Sequence, residues 1–324
     1  MDSCDVVIVG GGPAGSSCAW RLRAHGISSV VLDASDFPRT KLCAGWITPR
    51  VVHHLDIDIP SYPHGIVRLD RMFVEYYGRK RSRSWTIPTR QFSIRRFEFD
   101  CWLLQRSGAV VRKHKAVQIR KDADGFVIDD MFRCRYIVGA GGTLCPVYST
   151  FFKGLNQRSR DAQVCTLEEE FPFAERDGTC RLWFMENGLP GYSWFVPKGN
   201  GWVNVGVGAL SKPLQQSGTS LKDHWRHFTR KLADLGLIAE HDFQPGGYTY
   251  YVRSPSKYGQ CGNCFIVGDA AGLATSDLAE GIGPAVESGL RAADAIATGN
   301  PYSLDGITGY SWPGFVAGLV RSLI

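Results

Sequence analysis

Asp5-Val-Val-Ile-Val-Gly10 is a continuous apolar run that stops at glycine, the pattern of a strand buried on both faces of a parallel sheet. Gly10-Gly11-Gly12-Pro13-Ala14-Gly15 follows at once. A helix over about 13–25 comes next, with Gly26 as its stop. Ser29-Val-Val-Leu-Asp33 then repeats the strand pattern. Strand, glycine turn, helix and strand make a β-α-β unit, which builds a right-handed parallel sheet. The turn fits G-x-G-x-x-G, and Asp33 stands about 20 residues on, at the end of the second strand. Gly10 makes the tight turn, Gly12 lets a pyrophosphate approach the backbone, and Gly15 lets helix and strand pack closely. Pro13 and Ala14 open a helix whose N–H groups and partial positive charge suit phosphate. Asp33 can accept hydrogen bonds from a ribose diol. A dinucleotide site is therefore expected, rather than a glycine-rich turn with no ligand.

With 324 residues the chain has length for about two domains. Its 44% hydrophobic and 21% charged residues belong to a soluble globular protein and exclude wholesale disorder. The net charge of +6 suits an anionic ligand or a membrane surface. It is too small and dispersed to argue for nucleic acid. Ten cysteines spread through apolar segments do not make a small secreted disulfide scaffold. An apolar strand by residue 5 leaves no room for a signal peptide, and no apolar run approaches the ~20 residues of a membrane span. The expected location is cytoplasmic, with peripheral contact at the inner membrane face left open.

Further along, 61–94 reads as antiparallel strands around a basic turn, Gly78-Arg-Lys-Arg-Ser-Arg83. A helix is expected at about 96–107, and strands at Val110–Ile119, Gly125–Ile128 and Tyr136–Gly139. Residues 160–254 alternate as strands, interrupted by an amphipathic helix at about 220–235. The first pattern then returns in Cys264-Phe-Ile-Val-Gly268-Asp269, with a helix at about 281–298. The expected fold is a Rossmann-like, three-layer ββα domain (1–60, 95–159 and 255–300) interleaved with an antiparallel-β domain (61–94 and 160–254). A short segment, 301–324, follows. Its Tyr310, Trp312, Phe315, Leu319 and Ile324 are expected to dock on the core.

Phe265-Ile-Val-Gly268-Asp269-Ala-Ala-Gly272 resembles the strand and G-D of the FAD-dependent hydroxylase and reductase superfamily. There the glycine lets the ribityl chain pass and the aspartate holds its hydroxyls. Arg96-Phe-Glu-Phe-Asp100-Cys-Trp-Leu resembles the superfamily's R-x-x-F-D-x-x-L segment, which opens a helix near the cofactor. Gly139-Ala-Gly141-Gly142-Thr-Leu-Cys145-Pro-Val resembles G-A-D-G-x-x-S-x-V, but with Gly141 for Asp and Cys145 for Ser. That departure puts hydroxylase-style nicotinamide binding in doubt.

Within the superfamily the chain resembles the geranylgeranyl reductases. Lys41-Leu-Cys43-Ala44-Gly45 matches their K-x-C-G-G/E segment. Gly191-Tyr192-Ser-Trp194-Phe-Val-Pro197 matches Y-x-W-x-F-P, with Val196 for Phe. Ser276-Asp-Leu-Ala-Glu280-Gly281-Ile282 resembles P-x-T-G-E-G-I, with Ser276 for Pro, Leu278 for Thr and Ala279 for Gly. The resemblance implies FAD, held by Gly10, Gly12, Pro13, Ala14, Gly15, Asp33, Ala44, Gly45, Arg96, Val117, Gly268, Asp269, Glu280, Gly281 and Ile282. Gly281-Ile282 would open a helix toward the anionic edge of the reduced flavin. Cys43 would give a proton or position substrate, unless it is simply a buried thiol. Tyr192 and Trp194, on one strand face, would form a flat apolar wall or an ordinary aromatic core.

The expected activity is reduction of C=C bonds in an isoprenoid or other lipid. A monooxygenase, a halogenase and a non-catalytic flavin or lipid binder remain alternatives. With one strand–GxGxxG–helix unit, NAD(P)H or another reductant, such as a donor protein, would bind transiently. No metal site is expected. Cys261-Gly-Asn-Cys264 reads as a turn rather than a redox pair. His53, His54, His64, His224, His227 and His241 read as surface or loop.

Overall fold

The computed structural model describes residues 1–173, 178–254, 258–307 and 310. Along the chain run β1 (Asp2–Val9), α1 (Pro13–Ala24), β2 (Ser29–Asp33), β3 (Trp46–Ile47), α2 (Pro49–His54), β4 (Ile66–Tyr77) and β5 (Ser82–Ile94). Then come α3 (Arg96–Ser107), β6 (Val110–Lys113), β7 (Ile119–Lys121), β8 (Phe126–Ile128) and β9 (Phe132–Gly139). The next stretch holds β10 (Gln163–Pro172), β11 (Cys180–Phe184), β12 (Gly191–Lys198), β13 (Trp202–Leu210), α4 (Ser211–Ser217), α5 (Leu221–Asp234) and β14 (Gly246–Tyr251). Last are β15 (Gln260–Cys261), β16 (Cys264–Ile266) and α6 (Ile282–Thr298).

The first sheet has the order β15-β16-β9-β1-β2-β6, with the β7–β8 hairpin joined to β9. Its β16, β9, β1, β2 and β6 are mutually parallel. Val6, Val7 and Ile8 at its centre are fully buried, as expected of a strand covered on both faces. α6 crosses α1 so closely that a Cβ on Gly289 would overlap the Ala14 carbonyl.

The second sheet has the order β14-β10-β13-β12-β11-β4-β5-β3. It is antiparallel except where β11 meets β4. Its two faces differ, because side chains alternate along each strand. Phe195, Val203, Val205 and Val207 face outward and pack under Trp225, Phe228 and Leu232 of α5. Trp194, Val196 and Leu182 face the other way, in a cluster that Trp46 joins from β3 and that Ala44 and Leu278 join from loops outside the sheet. So this sheet is capped on one side and turned toward the nucleotide-type sheet on the other. The fold is the expected pairing of a Rossmann-like parallel sheet with a curled antiparallel one.

Some local expectations need correction. The single strand expected at 110–119 is two, β6 and β7. The carboxylate of Asp129 breaks it: it accepts from the backbone N–H of Val117 and Gln118, at 3.1 and 2.6 Å, and bonds His114 at 2.6 Å. Nor is His224 a surface residue; it is buried on α5 and bonded to Thr219 Oγ1 at 2.9 Å. His241 stacks on Phe171 with ring centroids 3.7 Å apart and bonds Glu169. Cys261 and Cys264 pair across the β15–β16 hairpin as free thiols. Tyr310 is buried and donates to Glu287 at 2.7 Å, while Trp312, Phe315, Leu319 and Ile324 lie outside the described residues. Among the described residues no helix is long and apolar enough to cross a membrane, and none of their His, Cys, Asp and Glu groups could hold a metal ion.

Candidate active site

The carboxyl ends of β1 and β2 open into a cleft of about 580 Å³, where ligands of open α/β sheets bind. Gly10 takes φ +112°, a conformation that side chains resist, and a Cβ there would overlap Ala140. Gly15 is equally constrained: a Cβ would overlap the Gly10 carbonyl oxygen, so glycine brings α1 onto the turn. Gly12 differs. A Cβ on it would meet only Arg39 Nη2, at 3.6 Å, so its open side faces the cleft. Asp33 Oδ2 accepts from Gly11 N at 2.8 Å and Oδ1 from Ser35 N at 2.9 Å. Those bonds hold the carboxylate at the rim, with Arg39 3.9 Å away.

The loop of Lys41–Gly45 forms one wall. Gly45 has φ +62°, and a Cβ would strike Ile94 O and Lys198 Nζ. Lys198 is buried and donates to the carbonyls of Ala44 and of Ile94. Burial pulls its ammonium down from its ordinary pKa against the neighbouring acids. Cys43 Sγ accepts from Gly45 N at 3.3 Å, and burial pushes the thiol up, keeping it neutral. On α3, Arg96 grips Asp100 through two bonds of 2.5 and 2.7 Å, both groups buried.

The facing wall is the inner side of the second sheet. Tyr192 and Trp194 both line the cleft, with rings 5.7 Å apart. Trp194 lies across β13: a Cβ on Gly206 would overlap its indole, and one on Gly208 would come within 3.3 Å. Thr166 and Glu168 of β10 and Tyr248 and Tyr250 of β14 continue this wall. Lys41 Nζ sits 2.9 Å from the centre of the Tyr248 ring, a cation–π contact. Glu168 is only 3% exposed, and burial pushes its carboxyl up to about 7.

The two walls meet at the turn before α6. Tyr192 Oη donates to Leu278 O at 2.5 Å and Tyr250 Oη to Ala279 O at 3.3 Å. Ala279 has φ +53°, where the resembling family has glycine. Glu280 Oε1 accepts from Gly283 N at 2.7 Å, while Oε2 is buried with no partner. Burial raises this carboxyl to about 8. The N–H expected to face a ligand is thus partly taken by the chain's own glutamate. Asp269 also lines the cleft, its carboxyl pushed up by burial. Arg158 braces its loop by donating to Ala270 O at 2.9 Å.

Cys43, Ala44, Gly45, Tyr192, Trp194, Gly10, Gly12, Pro13, Ala14, Asp33, Arg96, Asp269, Glu280, Gly281 and Ile282 thus come together around one cleft. Gly15 and Gly268 stand behind it as packing positions. Val117 does not reach it: it is 65% exposed, in the break between β6 and β7, and Lys115 and Ala116 line the cleft there instead. Glu168, Lys198, Tyr248 and Tyr250 went unnoticed in the sequence. Their signal was faint: alternate polar or aromatic positions in strands that otherwise read as core.

Residues 5–91 match the FAD dependent oxidoreductase family. An uncharacterized protein of Methanosarcina barkeri is 31% identical over 313 residues, 92% of this chain and 76% of that one. A menaquinone reductase of Mycolicibacterium smegmatis is 28% identical over 346 residues, 95% of this chain and 79% of its own. A digeranylgeranylglycerophospholipid reductase of Methanosphaera stadtmanae is 25% identical over 336 residues, 96% and 82% of the two chains. In fold, the chain is similar to a geranylgeranyl bacteriochlorophyll reductase-like protein of Thermoplasma acidophilum. The TM-score is 0.79 at 20% identity, covering 99% of this chain and 84% of that one.

Proposed function

Because the chain belongs to the FAD-dependent oxidoreductases, in their geranylgeranyl-reductase-like branch, we propose that it reduces C=C bonds of an isoprenoid or related lipid. One observation carries this reading. A single cleft runs from the glycine turn of β1–α1 to the aromatic wall of Tyr192 and Trp194. A nucleotide-type binding turn and an apolar wall therefore share one cleft.

The residues present fit FAD. Gly12 leaves its Cβ direction open at the positive end of α1, where a pyrophosphate would bind. Asp33 would hold the ribose diol and Asp269 the ribityl hydroxyls. Gly281 and Ile282 would border the flavin's pyrimidine edge, with Glu280 neutral at neutral pH so that it does not repel charge there. Bound and reduced, this cofactor supplies a hydride to an alkene carbon.

The chain's own share is binding, orientation and exclusion of water. Tyr192, Trp194, Leu278 and Ala44 offer flat apolar contact to an alkene. Cys43, neutral and fixed by Gly45 N, packs beside it without a charge that would call in water. NAD(P)H or a donor protein would dock transiently as the electron source.

The test is to reduce the FAD-loaded protein without oxygen, add polyprenyl lipids of several chain lengths, and follow flavin reoxidation with mass spectrometry of the lipid. A gain of two hydrogens with reoxidation is the expected result. A colourless protein, or one that turns over only with oxygen and an aromatic, would defeat the proposal.

A further inference from the structure

Strand β10 carries Thr166, Glu168 and Glu170 on the face that looks into the cleft, since alternate residues share a face. In register, Glu168 stands beside Gly206, and Gly206 beside Trp194. The glycine matters because a Cβ there would overlap the indole and come within 2.8 Å of Glu168 Cβ. The indole thus lies across the middle strand toward the glutamate. Its Nε1–H donates to Asn204 Oδ1 at 2.7 Å. An indole can only donate, so it fixes the amide with oxygen toward Trp194 and NH₂ toward Glu168. Asn204 Nδ2 then donates to Glu168 Oε2 at 3.3 Å. All three residues are buried. Glu168 Oε1 has no hydrogen-bond partner among the described residues, and Glu168 lines the cleft together with Cys43 and Tyr192. A buried acid with one oxygen held and the other open to a substrate cleft is placed to transfer a proton.

We infer that Glu168 is the acid of this site, giving its carboxyl proton to the alkene carbon beside the one that receives hydride, with Asn204 and Trp194 as its positioning residues. The inference rests on the alkene-reductase reading above. The balance is complete. Hydride from the reduced flavin forms one C–H bond, the π electrons take the carboxyl proton to form the other, and the flavin ends oxidised. Glu168 is left as carboxylate and regains a proton from solvent.

Cys43 is the competing donor. Its thiol, ordinarily weaker than a carboxyl, is pushed further up by burial. Glu168 is held near 7, where a proton donor works best at neutral pH. Several groups act on it. Asn204 on β13, Lys198 on β12 and Lys41 on the facing loop lower its pKa, while Glu170 on its own strand raises it. Cys43, Tyr192 and Tyr250 also face it, all neutral at pH 7 because burial raises them.

The test compares the holoprotein with Glu168→Gln, Asn204→Leu and a surface control, Glu240→Gln. Flavin absorbance first checks that each variant folds and holds FAD. In wild type, reoxidation of the reduced flavin by polyprenyl lipid should fall as pH rises through about 7. Glu168→Gln should be slower by about 100-fold or more, with no such pH step. Asn204→Leu should move the step to higher pH, since it removes a bond that favours the carboxylate, and Glu240→Gln should match wild type. Independently of turnover, infrared difference spectra in D₂O, wild type minus Glu168→Gln, should show a protonated carboxyl band that titrates near 7, distinct from the Glu280 carboxyl, raised to about 8, which both proteins keep. A Glu168→Gln variant with wild-type rate and pH profile, or a band titrating in the ordinary carboxylate range, overturns the role of Glu168 alone. A wild-type flavin that no lipid reoxidises overturns the reductase reading instead.

Discussion

Ala279 occupies φ +53°, a left-handed conformation that costs an L-residue about 1–2 kcal/mol. It is held there by its neighbours: Tyr250 Oη bonds its carbonyl, its own N–H donates to Thr275 O at 3.1 Å, and Thr275 N donates to Glu280 O at 2.9 Å. Such strain persists where the surroundings over-determine a turn, commonly beside a functional site. Ala279→Gly should therefore raise stability by about 1 kcal/mol, read as a higher Tm of the FAD-free protein. A lower Tm would mean that the lost methyl packing outweighs the strain. The departure from glycine at 279 was legible in the sequence. Its consequence was not, because φ is set by the closing of a tertiary turn.

At the scale of elements, β12 and β13 divide two environments between their faces. Their outward residues are Phe195, Val203, Val205 and Val207, buried under α5. Their inward residues include Trp194, Asn204, Gly206 and Gly208, the first of which lies flat only because the last two lack side chains. Gly206→Ala should lift the indole off the strand, break its bond to Asn204 and cost about 1–3 kcal/mol through overpacking. Tryptophan fluorescence and denaturant unfolding would check this; an unchanged spectrum and midpoint would show that the indole has room to spare. The alternation that separates the two faces is plain in the sequence. The split of 110–119 is not, because the break depends on Asp129, which reaches back from the far side of the β7–β8 hairpin. Val117 was misplaced for the same reason.

For the molecule as a whole, the decisive contacts are those tying the second sheet to the first. Tyr192 Oη bonds Leu278 O, and Lys198 bonds Ala44 O, so the sheet that offers the aromatic wall also fixes two loops that line the opposite side of the cleft. Tyr192→Phe keeps the ring but drops one buried tie of about 0.5–1.5 kcal/mol. FAD affinity should weaken by up to roughly tenfold, measured by flavin fluorescence titration, with the protein still folded. Unchanged affinity would show that the Leu278 turn is held without it. By itself the sequence determined the β-α-β unit, its glycine turn and the aromatic Y-x-W strand. These depend on local periodicity and on steric demands that one or two neighbours impose. Only the tertiary structure decided that Cys43, Glu168, Tyr192 and Glu280 share one cleft, and that Glu168 and Glu280 are held near neutrality. Burial and desolvation are properties of the whole assembled surface, made by segments more than a hundred residues apart, and no local pattern encodes them.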